Sequence, residues 1–578
     1  MLPGRALSER RQLKDDALLS DRTARDAQAP AGIAAAAPPA RPVSVATALA
    51  RAFKAHGVRR MFGLPGGGSS LDLIEAARRE RIPFILARHE CAAVFMAAAT
   101  AELEGSLGVA LTTKGPGTAN ATNGVAHAAL DRCAVAVVTD GFSPQIRAYV
   151  THQWYDQQAL LAPLVKDHSL LDDARAGADI ARLLGLARAP RRGPVHLELI
   201  GAAARAQIAP PPLRKPNLAL PTAGGASVKR ARALLARARR PVVIAGLEAA
   251  QPAIAAALRK LVAELDCPAL VTYKAKGVIA DDDPHFVGLF TGGLAEQPTV
   301  KQADLIVLVG VDPVELILQP WPYDIAVLEL GFTRHPVHYV KAVCTLHGDL
   351  VSSVTSLRGA ARHGDWQRAG IARLRAAMRA ALACTGHGAG LTPQQVVETA
   401  VEAAADLPRW PRATVDAGAH MFSATAFWPC YKPCDLLISN GLATMGFALP
   451  AAIASALSEP RRHTVAFTGD GGLLMCLGEL ATAVDTGARI VVVVFNDGAL
   501  SLIDIKQQQR KLPSHGVRWT RPDFAMAMRA AGGRGYRARS PGAYRRALAL
   551  AFAGEGPALI DVQVDPSGYQ AQLAAMRG

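Results

Sequence analysis

No stretch of about twenty consecutive apolar residues occurs in this chain of 578 residues, which excludes a hydrophobic membrane-spanning helix. The start of the chain has no basic segment leading into an apolar one, so no secretory signal is expected. Aromatic residues are also scarce, at 5%. That matters because the net charge is +16, a value that invites a nucleic-acid reading. The basic residues are mostly Arg spread through alanine-rich stretches such as 230–240 and 368–379, and few aromatic faces are on offer for bases to stack on. Nucleic-acid binding is therefore not expected, and a solvated basic surface with small anionic substrates accounts for the charge. Cysteine is sparse and scattered. Of the eight, only Cys430 and Cys434 are close, and a lone C-x-x-x-C lacks the second pair of a zinc site. Reduced thiols and a cytoplasmic location follow as the expectation.

What is present is a large core. Half of the residues are hydrophobic, and the length alone suggests about three or four domains. Residues 1–42 mix Arg, Asp, Ala and Pro without sustained periodicity after Leu19, as expected of a disordered tail. Its acidic residues, among them Glu9, Asp15 and Asp16, argue against an organellar transit peptide. Over 43–206, short apolar runs (60–64, 82–86, 108–112, 134–139) alternate with helical stretches (45–56, 91–103, 119–129), with glycine turns at Pro65–Gly68 and Gly115–Gly117. Such alternation predicts a parallel sheet covered by helices on both faces. A proline-rich linker near Pro210–Pro212 leads to a second α/β region, 223–357, with strands expected at 241–245, 269–272, 304–309 and 325–330. An Arg-rich helical stretch, 366–383, precedes a third region, 391–578.

The most informative segment runs from Thr464 to Asp497. Two apolar, β-branched runs, 464–468 and 490–495, flank a glycine turn, Gly469-Asp470-Gly471-Gly472, and a helix expected over 473–486. In parallel sheets, ligands sit beyond the carboxyl ends of the strands, where the Asp470 turn lies at one end and Asn496-Asp497 at the next. Glycines admit a diphosphate close to the backbone, and carboxylate and amide oxygens suit Mg²⁺.

This segment resembles the Gly-Asp-Gly…Asn-Asn signature of thiamine-diphosphate-dependent enzymes. Phe62–Gly67, Arg88-His89-Glu90 and Gly115-Pro116-Gly117 look like the pyrimidine-binding domain of the acetolactate synthase branch of that family, and Asp416–His420 and Ser439–Pro450 resemble its cofactor-binding segments. The resemblance implies an α/β fold of three consecutive doubly wound parallel-sheet domains: pyrimidine-binding (43–206), central (223–357) and diphosphate-binding (391–578). It implies thiamine diphosphate, whose C2 ylid adds to a 2-oxo acid, accepts the electrons of decarboxylation and passes the resulting enamine to a second carbonyl. Glu90 would hydrogen-bond the aminopyrimidine and share its proton in a largely dry pocket. Met445 would bend the cofactor, and the Ala443 carbonyl would hold its amino group. Asp470 would anchor the diphosphate through Mg²⁺ together with Asn496 or Asp497, with Gly418, His420, Gly471 and Gly472 nearby. The register that aligns Leu502-Ile503 with the family's apolar pair favours Asp497, with Ala499 offering its carbonyl. Family members share their active sites between subunits, which implies a homodimer or a dimer of dimers.

The departures are specific. The central domain binds FAD in some members, but where those carry Arg-Phe-Asp this chain has Val311-Asp312-Pro313-Val314, which argues against FAD. The family's glycine is Ala443 here. A Trp-containing segment of biosynthetic members is replaced by Leu502–Gln507, and the Ser before Gly-Pro-Gly by Lys114. Lys114 or Lys506 is the expected partner of the 2-oxo acid carboxylate. The rival readings are a simple 2-oxo acid decarboxylase, a flavin-dependent oxidase of the same fold, and a non-catalytic cofactor-binding subunit. Glu90, Asp470 and Met445 together argue against the last, since a subunit without turnover needs no machinery for making an ylid.

Overall fold

The computed structural model describes residues 41–172, 174–211, 218–317, 320–336, 340–360 and 364–577. The tail expected over residues 1–42 thus lies outside the described residues except for its last two, as does 212–217 of the linker. The chain then forms Val43–Ser44 (β1), Met61–Leu64 (β2), Phe84–Leu86 (β3), Gly108–Thr112 (β4), Val135–Gly141 (β5), His168–Leu171 (β6), Val195–Ile200 (β7) and Gln207–Ile208 (β8). Strands β2 to β7 make one parallel sheet in the order β3-β2-β4-β5-β7-β6, while β1 and β8 pair antiparallel. Side chains alternate between the two faces of a strand. On β5, Val135 and Val137 enter one core and Ala136 and Val138 another, so this sheet is buried on both sides.

The second sheet comprises Pro241–Ala245 (β9), Ala269–Val271 (β10), Phe286–Leu289 (β11), Leu305–Val309 (β12), Ala326–Gly331 (β13) and Cys344–His347 (β14). Its order is β11-β10-β9-β12-β13-β14, all parallel. The third comprises Arg412–Val415 (β15), Leu436–Ile438 (β16), Thr464–Gly469 (β17), Ile490–Asn496 (β18), Arg534–Ala538 (β19) and Ala558–Gln563 (β20), in the parallel order β16-β15-β17-β18-β20-β19. The fold is therefore the expected one of three parallel-sheet α/β units.

The first and third units share a core. Helix Glu90–Glu104 is rich in alanine, as is helix Ala448–Ser458, and both belong to one buried cluster with Val492 and Val494 of β18. Small side chains let such helices approach closely. One helix expectation fails. The helix expected over Leu473–Thr486 is two, Asp470–Met475 and Glu479–Asp485, broken around Gly478. A Cβ on Gly478 would stand 3.1 Å from Cβ of Arg88, so the break brings this segment against the residues just before Glu90.

Candidate active site

In the third sheet the strand order reverses between β15 and β17, and the functional loops gather at their carboxyl ends, as parallel sheets require. Asp416 follows β15 and is buried. Its carboxylate accepts the N–H groups of Gly446 and Phe447, each at 3.0 Å, and the Thr468 hydroxyl at 2.9 Å. Burial pushes this carboxyl up to about 6 despite those donors. A Cβ on Gly472 would collide with the same carboxylate, so the glycine is required by close packing. Asp416 thus pins the Met445 loop to the Asp470 turn.

Asp470 begins its helix. Its Oδ1 accepts Gly471 N–H at 2.8 Å and its Oδ2 accepts Gly498 N–H at 2.7 Å, a contact that joins the ends of β17 and β18. Burial, and then repulsion from the Asp497 carboxylate, push Asp470 up to about 7. Asp497 is raised as well, chiefly by burial, while accepting Ser501 Oγ at 2.5 Å and Ala499 N–H at 3.2 Å. The two acids therefore sit side by side.

Asn496 is turned elsewhere. Its amide donates to Asp561 at 2.8 Å and to the Pro522 carbonyl at 3.2 Å, and its Oδ1 is buried without a protein partner. His420, beside Gly418, stacks on Phe495 with centroids 5.2 Å apart. Its Nε2 is buried and unpartnered, and burial lowers its pKa to about 3, so the ring is neutral. Ala443 holds a left-handed φ of 53°, and the neighbouring Met445 is partly buried against Gly471.

In the first sheet the order reverses between β2 and β4. Glu90 opens helix Glu90–Glu104, 8% exposed, and its Oε2 accepts Asn120 Nδ2 at 3.1 Å. Asn120 lies on helix Pro116–Leu130, and one turn along it Asn123 donates to Thr444 Oγ1 at 3.0 Å, so that helix touches both Glu90 and the Met445 loop. Lys114 follows β4 with its Nζ 5.0 Å from the Phe142 ring centroid. Lys506 lies exposed on helix Ser501–Gln509.

Three models of one family match this chain. They are the thiamine pyrophosphate enzyme N-terminal TPP binding domain over residues 43–160, the central domain over 228–329 and the C-terminal TPP binding domain over 416–562, together more than half of its length. The chain belongs to the thiamine pyrophosphate enzyme family. Among its relatives in that family, the acetolactate synthase of Bacillus subtilis is 28% identical over 529 residues, 89% of this chain and 91% of the relative. The acetolactate synthase isozyme 3 large subunit of Escherichia coli is 29% identical, covering 85% of this chain and 89% of the relative. A probable 2-ketoarginine decarboxylase of Pseudomonas aeruginosa is 28% identical, covering 91% and 95%. This is a thiamine-pyrophosphate-dependent enzyme of acetolactate synthase-like type.

The residues fit the family's cofactor. Unpartnered buried polar atoms, His420 Nε2 and Asn496 Oδ1, lie at the strand ends beside the neighbouring acids Asp470 and Asp497, a donor set suited to a divalent cation. Sequence reasoning did not single out Asp416, Asn120 or Trp519. Trp519 lies 3.2 Å from where a Cβ of Gly471 would stand, brought there because Leu500 and Trp519 donate to the Val517 and Gly498 carbonyls. Only its residue type hinted at it, since the sequence places no tryptophan directly after β18.

Proposed function

We propose that this enzyme decarboxylates a 2-oxo acid and ligates the product to a second carbonyl. The observation that carries the reading is the adjacency of Asp470, buried, and Asp497, partly buried, at the ends of β17 and β18, two acids whose repulsion a divalent cation would relieve. Asp470, Asp497 and the Ala499 carbonyl would hold Mg²⁺, and His420, Gly418, Gly471 and Gly472 would flank the diphosphate. Asn496 is read as a support, because its amide is committed to Asp561. When bound, thiamine diphosphate supplies the electron sink for decarboxylation. Glu90 moves the proton at the aminopyrimidine, held in place by Asn120. Met445 orients the cofactor from its loop, and Lys114 binds the substrate carboxylate.

The three sheets are read as pyrimidine-binding (43–206), central (223–357) and diphosphate-binding (391–578) domains. A homodimer or dimer of dimers with active sites between subunits is supported by large apolar side chains left exposed beside both half-sites, Leu71 and Leu86 on one and Leu474 and Met475 on the other. A cytoplasmic location is supported by eight free cysteines, seven of them buried.

The central domain is read as taking no FAD. Its strand order reverses between β9 and β12, where a dinucleotide's phosphates would meet backbone amides. Here those amides are used by the chain's own acids. Leu247 and Asp312 N–H donate to Glu315 Oε2 at 2.8 and 3.0 Å, and Phe332 N–H donates to Glu248 at 2.7 Å. Arg132 grips Asp312 in two hydrogen bonds of 2.8 and 3.0 Å. Flavin absorbance in the purified protein would contradict this reading.

The test of the function is carbon dioxide release with thiamine diphosphate and Mg²⁺, supplied in turn with pyruvate, 2-oxobutyrate, benzoylformate and glyoxylate. Release that Glu90→Gln abolishes is the expected result, and no release from any acid counts against the reading. Simple decarboxylation is the second reading, favoured by the relative named a decarboxylase. An aldehyde as sole product would select it.

A further inference from the structure

We infer that Glu479 is a positioning residue for Glu90. The inference rests on the reading of Glu90 as the proton-moving group. Glu479 belongs to the C-terminal sheet's unit, nine residues beyond Asp470, yet its Oε1 accepts the N–H groups of Arg88 and His89, both at 2.9 Å. Its side chain is fully buried. Arg88 and His89 form the turn between β3 and helix Glu90–Glu104, and Glu90 is the first residue of that helix. Two hydrogen bonds to one carboxylate oxygen fix the peptide planes just before Glu90, and with them the direction in which its side chain leaves the backbone.

The rest of the short helix Glu479–Asp485 docks on the same turn. The Thr482 hydroxyl donates to the Leu86 carbonyl at 3.5 Å, and Asp485 pairs with the Arg88 guanidinium. The Gly478 break permits this approach, because any side chain there would press on Arg88. Holding a catalytic carboxylate through its backbone matters because a displacement of about 1 Å at a reacting group can lower the rate on the order of 100-fold.

The test compares Glu479→Asp, which keeps the charge but withdraws the oxygen by one methylene, with Glu479→Gln, whose amide oxygen can still accept both N–H groups. Each is loaded with thiamine diphosphate and Mg²⁺, and two quantities are read: cofactor affinity by titration calorimetry, and the rate of hydrogen–deuterium exchange at cofactor C2. Glu479→Asp is expected to slow exchange by about tenfold or more with cofactor affinity little changed, and Glu479→Gln to stay within about threefold of the parent. Exchange at the parental rate in Glu479→Asp, or a loss of exchange only in proportion to lost cofactor, overturns the inference. Glu90→Gln is the control. If it fails to slow exchange, the reading of Glu90 falls and this inference with it; if it abolishes exchange while Glu479→Asp does not slow it, the positioning role alone falls.

Discussion

The paired acids at β17 and β18 make the cofactor-free enzyme sensitive to pH in a calculable direction. Burial and the Asp497 carboxylate hold the folded-state pKa of Asp470 at about 7, against 3.8 for an ordinary Asp. The folded chain therefore binds this proton more tightly than the unfolded chain does. The stability so contributed is full below the unfolded pKa and is lost as pH rises through the folded one. Between pH 5 and pH 8 the loss amounts to roughly 3 kcal/mol, at about 1.4 kcal/mol per pH unit up to the folded pKa and levelling off above it. The assay is thermal unfolding in chelator of the parent and of Asp470→Asn, whose amide does not titrate. Other buried acids, such as Glu248, Glu296 and Glu315, titrate in both proteins and cancel in the comparison. The parent's midpoint should fall relative to the variant's by about 3 °C if the whole body melts together, and by up to about 9 °C if the C-terminal domain melts alone. Mg²⁺ with thiamine diphosphate should reverse the trend, because the ionised pair then has a cation to hold. Parallel melting curves across that pH range would refute the reasoning, since they would mean that Asp470 is ionised at no cost.

Three further outcomes are expected. Ala443→Gly should raise the thermal midpoint, worth about 1 kcal/mol, because Ala443 occupies a left-handed conformation that glycine adopts freely, while Ala443→Val should lower it. Lys114→Met should raise KM for the 2-oxo acid by about tenfold or more, as expected for loss of a charge-assisted hydrogen bond, whereas Lys506→Met, exposed on its helix, should change KM little; steady-state kinetics checks both. Lys274→Met should destabilise by about 3 to 5 kcal/mol, because Lys274 is buried against Glu102 at 2.7 Å and Asp131 at 3.7 Å, and Lys274→Met with Glu102→Gln should recover part of that in thermal unfolding.

The elements that sequence reasoning located were those whose cause is local. Val491 to Val494 is apolar on both faces because both faces are buried, and the glycines after β17 announce a turn. The short strands Phe286–Leu289 and Cys344–His347 carry no such mark; β11 and β14 lie at the edges of their sheet and are defined by the single neighbour each pairs with. Glu479 was illegible for a stronger reason. Its partner His89 is 390 residues away along the chain, and no local pattern records a contact of that range. Asp416 was visible as a member of the Asp416–His420 segment, but its grip on Gly446 and Phe447 depends on two strands meeting in space.

The two terminal sheets repeat one strand order: counted within each unit, both run 2-1-3-4-6-5, whereas the central sheet runs 3-2-1-4-5-6. A sheet that reverses between its first and third strands has one crevice there, and each terminal unit puts its informative residues around its own: Lys114 and the Glu90 turn in the first, Asp470 and Asp416 in the third. On the proposed assignment of Glu90 to the aminopyrimidine and Asp470 to the metal, neither crevice alone holds both groups. On that reading two copies of one scaffold divide a task, and a single cofactor would have to meet both crevices. The central unit has a different strand order, and the backbone amides at its crevice donate to its own Glu315 and Glu248. It reaches the other two units through Lys274, which binds Glu102 of the first and the Ile438 carbonyl of the third, just ahead of the segment that carries Met445.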